Sequence, residues 1–335
     1  MAKSRRAHAV TFGFDFQVNA AIVLMLDNIE EMRTLRLEGN HEDIDIVLDD
    51  GNHILAQAKA VEQSSYDFSH VRENIKKALL TLSEASKEVN AKQLIFITNS
   101  PNPLNDEDSR SVFYGNARRS FDSLPPSAKD IIMGYLSKVD DSLDTEKLLI
   151  RVLPFETDDD QERYKVVLEA INNFIGSLNL NHPGLGNKLM YVWQSEVFKN
   201  STKKDAAITL SKEKIIWPVV VIVTDIERCD TELAEYFDAS LYDEIVHRYH
   251  DIIDSCCERC EFFIKVLYDY KNFKPSGPQS KKCIEFALTK WEDYVDEIGT
   301  EHIDAETQKG LIQIILYSIV RNRLEIDKIK KGVNL

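Results

Sequence analysis

The side chains with the clearest chemical potential lie in one short segment, residues 38–60. Asp43 and Asp45 alternate there with aliphatic residues, and Gln57 and Lys59 alternate with alanines after an Asp-Gly-Asn sequence. Such alternation indicates two β-strands, and the glycine between them indicates a hairpin turn. Phosphodiester cleavage needs a hard divalent cation held by oxygen ligands, an activated water and stabilisation of the phosphate charge. The segment therefore predicts a metal-dependent phosphodiesterase site.

Each polar residue of this hairpin has a predicted role. Asp43, or Asp45 beside it, supplies the anionic metal ligand, and the carbonyl oxygen of Gln57 supplies a neutral one. Lys59 orients and activates the attacking water or contacts the phosphate. Glu38 ends a preceding strand and adds a second carboxylate. The alternative is a merely solvated hairpin face, which is the usual role of any single acid or lysine at such a position.

The register of the hairpin decides whether these side chains meet, because a slip of one residue sends a strand's side chains to the opposite face. A three-residue turn at Asp50-Gly51-Asn52 pairs Asp45 with Gln57 and Asp43 with Lys59. A two-residue Asp-Gly turn would put the acids behind the sheet, so we favour the longer turn. The predicted buried face consists of Ile44, Ile46, Leu48, Ile54, Ala56 and Ala58.

The flanking segments complete an α-β-β-β-α-β order. Apolar residues at three- and four-residue steps predict helices over residues 10–27 and 67–87. Residues 92–98 form a continuous apolar run, which suits a strand buried on both faces and joined to its neighbour by a crossover helix. The N-terminal part is therefore predicted to be an α/β core built on a mixed sheet.

Helix, acidic hairpin, Gln-x-Lys, helix and strand in this order resemble the core of PD-(D/E)xK nucleases. The resemblance is greatest to the Gln-x-Lys branch, which includes Mrr-like restriction enzymes and the double-stranded DNA endonuclease domains of bacterial anti-phage effectors. The matching pieces are Gly13-Phe-Asp-Phe-Gln17, Glu38, Glu42-Asp43-Ile44-Asp45-Ile46, Gln57-Ala-Lys59 and Phe96-Ile-Thr-Asn99.

The resemblance implies a restriction-endonuclease-like fold and magnesium- or manganese-dependent cutting of double-stranded DNA. Asp43, Gln57 and Lys59 occupy the positions of the residues that would catalyse this DNA cleavage. Gln57 stands where the broad superfamily has an acid, so Glu38 or Asp45 must compensate for the missing negative charge. Gln17, near the start of the first helix, either approaches the site, as in the resembling effectors, or braces the helix.

Resemblance also suggests settings and partners. We favour the nuclease subunit of a Lamassu-type or other ABC-three-component defence system, with an SMC-like ATPase partner and self-association in the active state. A cyclic-nucleotide-activated CBASS effector and a modification-dependent restriction enzyme are alternatives, as are an RNase and a non-catalytic adaptor with a decayed site.

The net charge of −15 is unusual for a protein that binds a polyanion, because affinity for DNA comes largely from Lys and Arg contacts with phosphates. Basic pairs do occur, among them Lys281-Lys282 and Lys328-Ile-Lys330-Lys331. A lone monomer should therefore bind DNA weakly, and we expect activity to depend on self-association or on a partner.

A length of 335 residues suggests two domains, a nuclease domain over 1–157 and a mostly helical sensing or docking domain over 158–335. Residues 148–153 should add a strand to the first domain after a helical insertion at about 102–146.

Asp15, Gln17 and Asn19 interrupt the first helix, so we expect no membrane span and a cytoplasmic protein. The spacing Cys256-Cys257-x-x-Cys260 could suggest a zinc site, but helical periodicity places Cys256 and Cys260 on a buried apolar stripe, which we favour.

The C-terminal half contains no predicted catalytic group. Helices are expected over residues 231–237, 241–270, 279–296 and 304–331. Residues 217–224 are ambiguous, because the β-branched run favours a strand whereas Ser211 would cap a helix containing Pro218.

Overall fold

The fold was obtained as a computed structural model, which describes residues 2–62, 64, 67–156, 158–223, 231–249, 259–299 and 303–335. The chain divides into two compact units. Unit 1 contains residues 1–177 and 186–215, and unit 2 contains residues 178–185 and 216–335. Unit 1 is a mixed α/β structure, and the part of the chain that follows is mostly helical, as predicted.

Unit 1 is built on a seven-stranded mixed sheet with the strand order β5-β6-β4-β3-β2-β1-β7. The strands are β1 (Met32–Leu37), β2 (Ile44–Leu48), β3 (His53–Lys59), β4 (Ala91–Thr98), β5 (Ala117–Ser120), β6 (Leu148–Val152) and β7 (Leu210–Ser211). β1, β2 and β3 are antiparallel neighbours, whereas β4 lies parallel to both β3 and β6. The predicted strand at 148–153 is thus confirmed as a member of this sheet.

The β2–β3 hairpin turns one residue earlier than predicted. Leu48 N donates to Asn52 O at 2.8 Å, so the loop consists of Asp49, Asp50 and Gly51, with Gly51 at φ +81°. The predicted pairing of Asp45 with Gln57 and of Asp43 with Lys59 is therefore wrong, and Asp45 lies opposite Leu55. Because the loop keeps an odd length, the register moves by two residues and each side chain stays on its predicted face.

Two helices cover the two faces of the hairpin. The longer helix, α1 (Ala2–Asp27), packs against β1, β2 and β3, and α2 (Val71–Glu88) is the crossover from β3 to β4. All six residues of the predicted buried face are buried. Leu55, on the opposite face, is also buried, in a cluster with Ile75, Leu79 and Leu82 of α2. Burial on both faces explains the dense apolar pattern of this sheet.

Helix α1 begins earlier than predicted. By length and composition alone, its segment Ala7–Asp27 could cross a membrane, although the sequence prediction rejected a span because of its polar residues. In the structure 61 % of the most apolar window of this segment is buried inside the protein. A core helix and a signal sequence both satisfy the same test of length and composition.

The segment between β4 and β6 is less purely helical than expected. It contains α3 (Glu107–Arg110), α4 (Pro126–Leu136) and the edge strand β5, which pairs antiparallel with β6. The prediction missed β5 because its sequence, Ala-Arg-Arg-Ser, carries no apolar alternation. Ala128, Ile132 and Leu136 of α4 are buried in the same cluster as α2.

Unit 1 extends well past the predicted boundary at 157/158. α5 (Asp160–Ser177) packs on α1, and α6 (Leu185–Ser201) leads to β7, which pairs with β1. Arg36 holds this segment to β1, because its guanidinium donates to Asn200 O at 2.7 Å, Lys203 O at 2.8 Å and Ile208 O at 2.9 Å. Long-range contacts of this kind leave no local signal in the sequence.

Within its described residues, unit 2 consists of helices joined by loops, without a strand. Its helices include the end of α7 (Lys212–Val223), α8 (Thr231–Ala234), α9 (Ala239–Arg248), α10 (Cys260–Asn272), α11 (Lys282–Lys290), α12 (Val295–Ile298), α13 (Ala305–Arg321) and α14 (Arg323–Gly332). The ambiguous run at 217–224 is helical as far as Val223, with Pro218 inside α7. The expected continuous helices over 279–296 and 304–331 are divided into shorter ones. Cys229, Cys256 and Cys257 lie outside the described residues.

Candidate active site

Three of the predicted site residues meet where β2 begins and β3 ends. Asp43 directly precedes β2, and its Oδ2 accepts hydrogen bonds from the Gln57 side-chain Nε2 and from Ala58 N, the latter at 3.0 Å. Lys59 Nζ lies 3.5 Å from the same oxygen. The ladder between the strands ends at the pair Ile44–Ala56. The Asp43 carboxylate therefore takes a backbone donor just beyond the last paired residues, which fixes its position.

Gln57 is held between two polar groups. Its side chain is buried, and its Oε1 accepts a hydrogen bond from Thr81 Oγ1 of α2 at 2.8 Å while its Nε2 donates to Asp43. A half-turn of the amide would exchange the two ends and present Oε1 to the Asp43 carboxylate. Without a cation two acceptors would then repel each other, so the observed orientation is the stable one for the protein alone. The sequence prediction missed Thr81, which lies beside the apolar stripe of α2.

Glu38 approaches the same group from the end of β1. Its backbone is left-handed, with φ 53°, and its N–H donates to Asp43 O at 2.8 Å. Partial burial raises the pKa of the Glu38 carboxyl, and the neighbouring Asp43 carboxylate raises it further. Lys59 and a side-chain hydrogen bond from Gln17 oppose this rise in the pKa. Gln17 therefore reaches Glu38 from α1. This contact agrees with the first of its two predicted roles, which was to approach the site.

Glu42 is a further acid of this group, and the sequence prediction did not select it. Its side chain is 5 % exposed, and Oε1 has no hydrogen-bond partner. Burial raises the pKa of this carboxyl to about 7, and the Asp43 carboxylate adds to the rise, against the nearby Thr81 hydroxyl and a hydrogen bond from the Asp43 backbone. Strand alternation would have pointed Glu42 away from Asp43. It lies instead in the bend before β2, where alternation does not apply.

Asp45 takes no part in the group around Asp43. Its Oδ1 lies 2.7 Å from His53 Nδ1, and its side chain is largely buried. The His53 ring makes an edge contact with the His41 ring, and His41 Nδ1 lies 2.9 Å from Glu88 Oε2. The corrected register explains this arrangement, because His53 is the diagonal neighbour of Asp45 across the two strands. The predicted role of Asp45 as a metal ligand beside Gln57 therefore has no support in the geometry.

The acids of the site are suited to a hard cation in chemistry but are not arranged as a complete ligand set. Among the described residues, no group of three or more His, Cys, Asp or Glu side chains could hold a metal ion as placed. Asp43 Oδ1 and the buried Glu42 Oε1 are carboxylate oxygens of this site that make no hydrogen bond in the described structure. A buried carboxylate oxygen without a partner is costly, and a divalent cation would satisfy it. Asp43, Glu42, Glu38 and the amide oxygen of Gln57 are the groups that would hold such an ion.

The motif around Gly13 positions α1 beside this site. Phe16 packs edge-on to Phe155, with ring centres 5.4 Å apart, and Asp15 accepts a hydrogen bond from Tyr164 OH at 3.0 Å. Burial raises the pKa of the Asp15 carboxyl despite this bond and the nearby Arg163. These contacts fix the helix on α5 and thereby place Gln17 at Glu38.

Comparison with known proteins gives no relative for this chain. No protein-family model matches it, and neither a curated protein nor a solved structure is significantly similar to it.

Proposed function

We propose that unit 1 is a metal-dependent endonuclease of the PD-(D/E)xK superfamily, in its Gln-x-Lys branch, and that it cleaves double-stranded DNA. The observation that carries this proposal is the meeting of Asp43, Gln57 and Lys59 on one face of an antiparallel hairpin. That hairpin continues through α2 into a parallel strand, β4. A carboxylate and an amide oxygen can hold a divalent cation, and an ammonium group beside them can stabilise negative charge on a phosphodiester.

The roles of the residues follow from their positions. Asp43 and Glu42 would hold the ion most directly, Gln57 would contribute its amide oxygen, and Glu38 would supply further negative charge. A divalent cation held there would polarise the phosphate and make a water molecule more acidic. The Lys59 ammonium, with its side chain 32 % exposed, is accessible to substrate and stabilises negative charge on the phosphate or orients the attacking water. Thr81 holds the Gln57 amide in the site.

The overall charge of the chain shapes the proposed setting. At −15, a single copy would bind DNA weakly in physiological salt. We therefore propose that activity requires self-association or a partner that contributes basic surface, as in an anti-phage effector controlled by an SMC-like ATPase. Weak binding by the isolated chain would prevent indiscriminate cutting.

A plasmid-nicking assay with Mg²⁺ or Mn²⁺ tests the catalytic assignment. Lys59→Met should lower the cleavage rate by about 10²-fold or more, since it removes a group that acts on the reacting atoms. The matched control is Lys92→Met, which removes a half-exposed lysine from the neighbouring strand β4, away from Asp43. Equal urea midpoints of the two variants would show that both remain folded.

The outcomes separate the competing functions. Equal cleavage by wild type and Lys59→Met would refute the site. Absence of cleavage by the wild type, even with its candidate partner proteins and at low salt, would favour a non-catalytic adaptor. Parallel assays on duplex DNA, methylated duplex DNA and RNA distinguish the proposed endonuclease from a modification-dependent enzyme and an RNase.

A further inference from the structure

Unit 2 contains a cationic pocket that plays no part in the proposed nuclease chemistry. Its volume is about 580 Å³. Four cationic side chains line it, from α10, α11 and α14: Lys271, Lys282, Arg323 and Lys330. Asp327 is the single acid among its lining residues. A pocket of this size falls in the range of about 300–1,000 Å³ that is typical of small-molecule sites.

The cations of this pocket are not neutralised within the part of the chain that the structure describes. None of the four forms an ion pair there, whereas lysines elsewhere in the protein, such as Lys265, do pair with acids. Arg323 uses only Nη1 for its hydrogen bonds in the described structure, to Val320 O at 3.0 Å and to Cys283 Sγ at 3.2 Å. Its Nε and Nη2 donors therefore remain available to an anion.

Two of the cations converge on one aromatic ring. Lys282 Nζ lies 4.6 Å from the centre of the Tyr270 ring, and the Arg323 guanidinium carbon lies 5.2 Å from it. The two charges are therefore separated by no more than about one Debye length, roughly 8–10 Å, so salt does not fully screen their repulsion. Lys282 and Arg323 therefore repel each other, and an anion bound between them would relieve that repulsion.

The remaining wall of the pocket is apolar and aromatic. Tyr268 is 66 % exposed and Ile264 is 53 % exposed, and both line the pocket together with the half-buried Leu267. Exposed aromatic and aliphatic side chains beside a group of cations can accept a planar apolar ring while the cations bind its charged substituent.

We propose that this pocket binds a phosphorylated nucleotide. Lys282, Arg323 and Lys330 contact the phosphates, because arginine and lysine are the side chains that bind phosphate oxygens most strongly. Tyr268 and its aliphatic neighbours pack against the base. The proposal does not depend on the nuclease activity of unit 1.

Two adjacent lysine pairs in the sequence provide a matched test. Lys282 and Lys330 line the pocket, whereas their neighbours Lys281 and Lys331 do not. ATP is titrated into the full chain by calorimetry in the presence of EDTA, so that no metal bridges the ligand to other acids. The double variant K282Q/K330Q should weaken ATP binding by about a hundredfold, since each of the two charge-assisted contacts is worth about a tenfold change in affinity. K281Q/K331Q has the same net charge and should bind ATP within about twofold of wild type.

Two further titrations define the ligand class. Inorganic triphosphate should bind more weakly than ATP, and Tyr268→Ala should weaken ATP binding without changing the binding of triphosphate. Absence of ATP binding by the wild type, or equal weakening by the two lysine double variants, would overturn the proposal. Triphosphate binding as tight as ATP binding would show a simple anion site instead. Tighter binding of a short single-stranded oligonucleotide that displaces ATP would assign the surface to nucleic acid.

Discussion

Replacing Glu42 by glutamine removes a carboxyl group that the fold buries almost completely. Burial raises the pKa of Glu42 from its ordinary value of 4.5 to about 7. One unit of pKa corresponds to about 1.4 kcal/mol. Ionisation of Glu42 therefore opposes folding, and at alkaline pH it costs the folded chain about 3 kcal/mol relative to the unfolded chain.

The direction of the pH dependence follows from which state holds the proton. Below about pH 4.5, the unfolded value, the carboxyl is protonated in both states and this cost is absent. As the pH rises towards 7, the unfolded chain loses the proton and the folded chain retains it, so stability falls. Above pH 7 both states are ionised and the loss is complete. Between pH 5 and pH 8 the expected loss is about 2.5 kcal/mol.

Urea denaturation in EDTA at pH 5 and pH 8 measures this effect. The free energy of unfolding of wild type, relative to that of Glu42→Gln, should fall by about 2–3 kcal/mol between the two pH values. Glu84→Gln, on the exposed side of α2, serves as the control and should follow wild type at both. If wild type and Glu42→Gln changed in parallel with pH, Glu42 would not be buried as described.

Addition of Mg²⁺ at pH 8 extends the same experiment to the metal. A cation bound by ionised Glu42 stabilises the folded state by mass action, so Mg²⁺ should restore much of the stability of wild type. Glu42→Gln lacks the anionic ligand and should gain less. An equal gain in both proteins would exclude Glu42 from the metal site while leaving its burial intact.

The remaining predictions concern stability and are checked by urea denaturation at pH 7. Arg36→Met should cost about 2–3 kcal/mol, because it removes three hydrogen bonds of a buried guanidinium, although Asn200 O and Ile208 O each keep another donor. Gly51→Ala should cost about 1–2 kcal/mol because of its positive φ, whereas Gly13→Ala, with open space in α1, should stabilise the protein by about 0.5–1 kcal/mol. Gly310→Ala should cost about 1–3 kcal/mol, because its Cβ would lie 2.6 Å from Ile245 Cδ1. Adding Ile245→Val should relieve part of that cost, and simple additivity of the two substitutions would contradict the proposed clash.

The sequence alone determined the elements whose residues repeat with a local period. Alternation along residues 44–58 identified both strands of the hairpin and its buried face, and the stripe of α2 identified the crossover helix. The odd length of the turn placed Asp43 and Lys59 on one face, even though the predicted register was wrong by two residues. The face on which each side chain lies depends only on the loop having an odd number of residues. The register of the two strands depends in addition on which residue takes the left-handed conformation. Gly51 takes it, as the last residue of the loop.

Only the tertiary structure decided which groups accompany Asp43. Thr81 arrives from α2, Glu42 turns inward in a bend, and Asp45 turns instead to His53. The extent of unit 1 was likewise settled by distant contacts, such as those of Arg36 with residues 200–208. The physical reason is the same in each case: a local pattern fixes the face on which a side chain lies, but its partner is set by segments far away in the sequence that packing brings alongside.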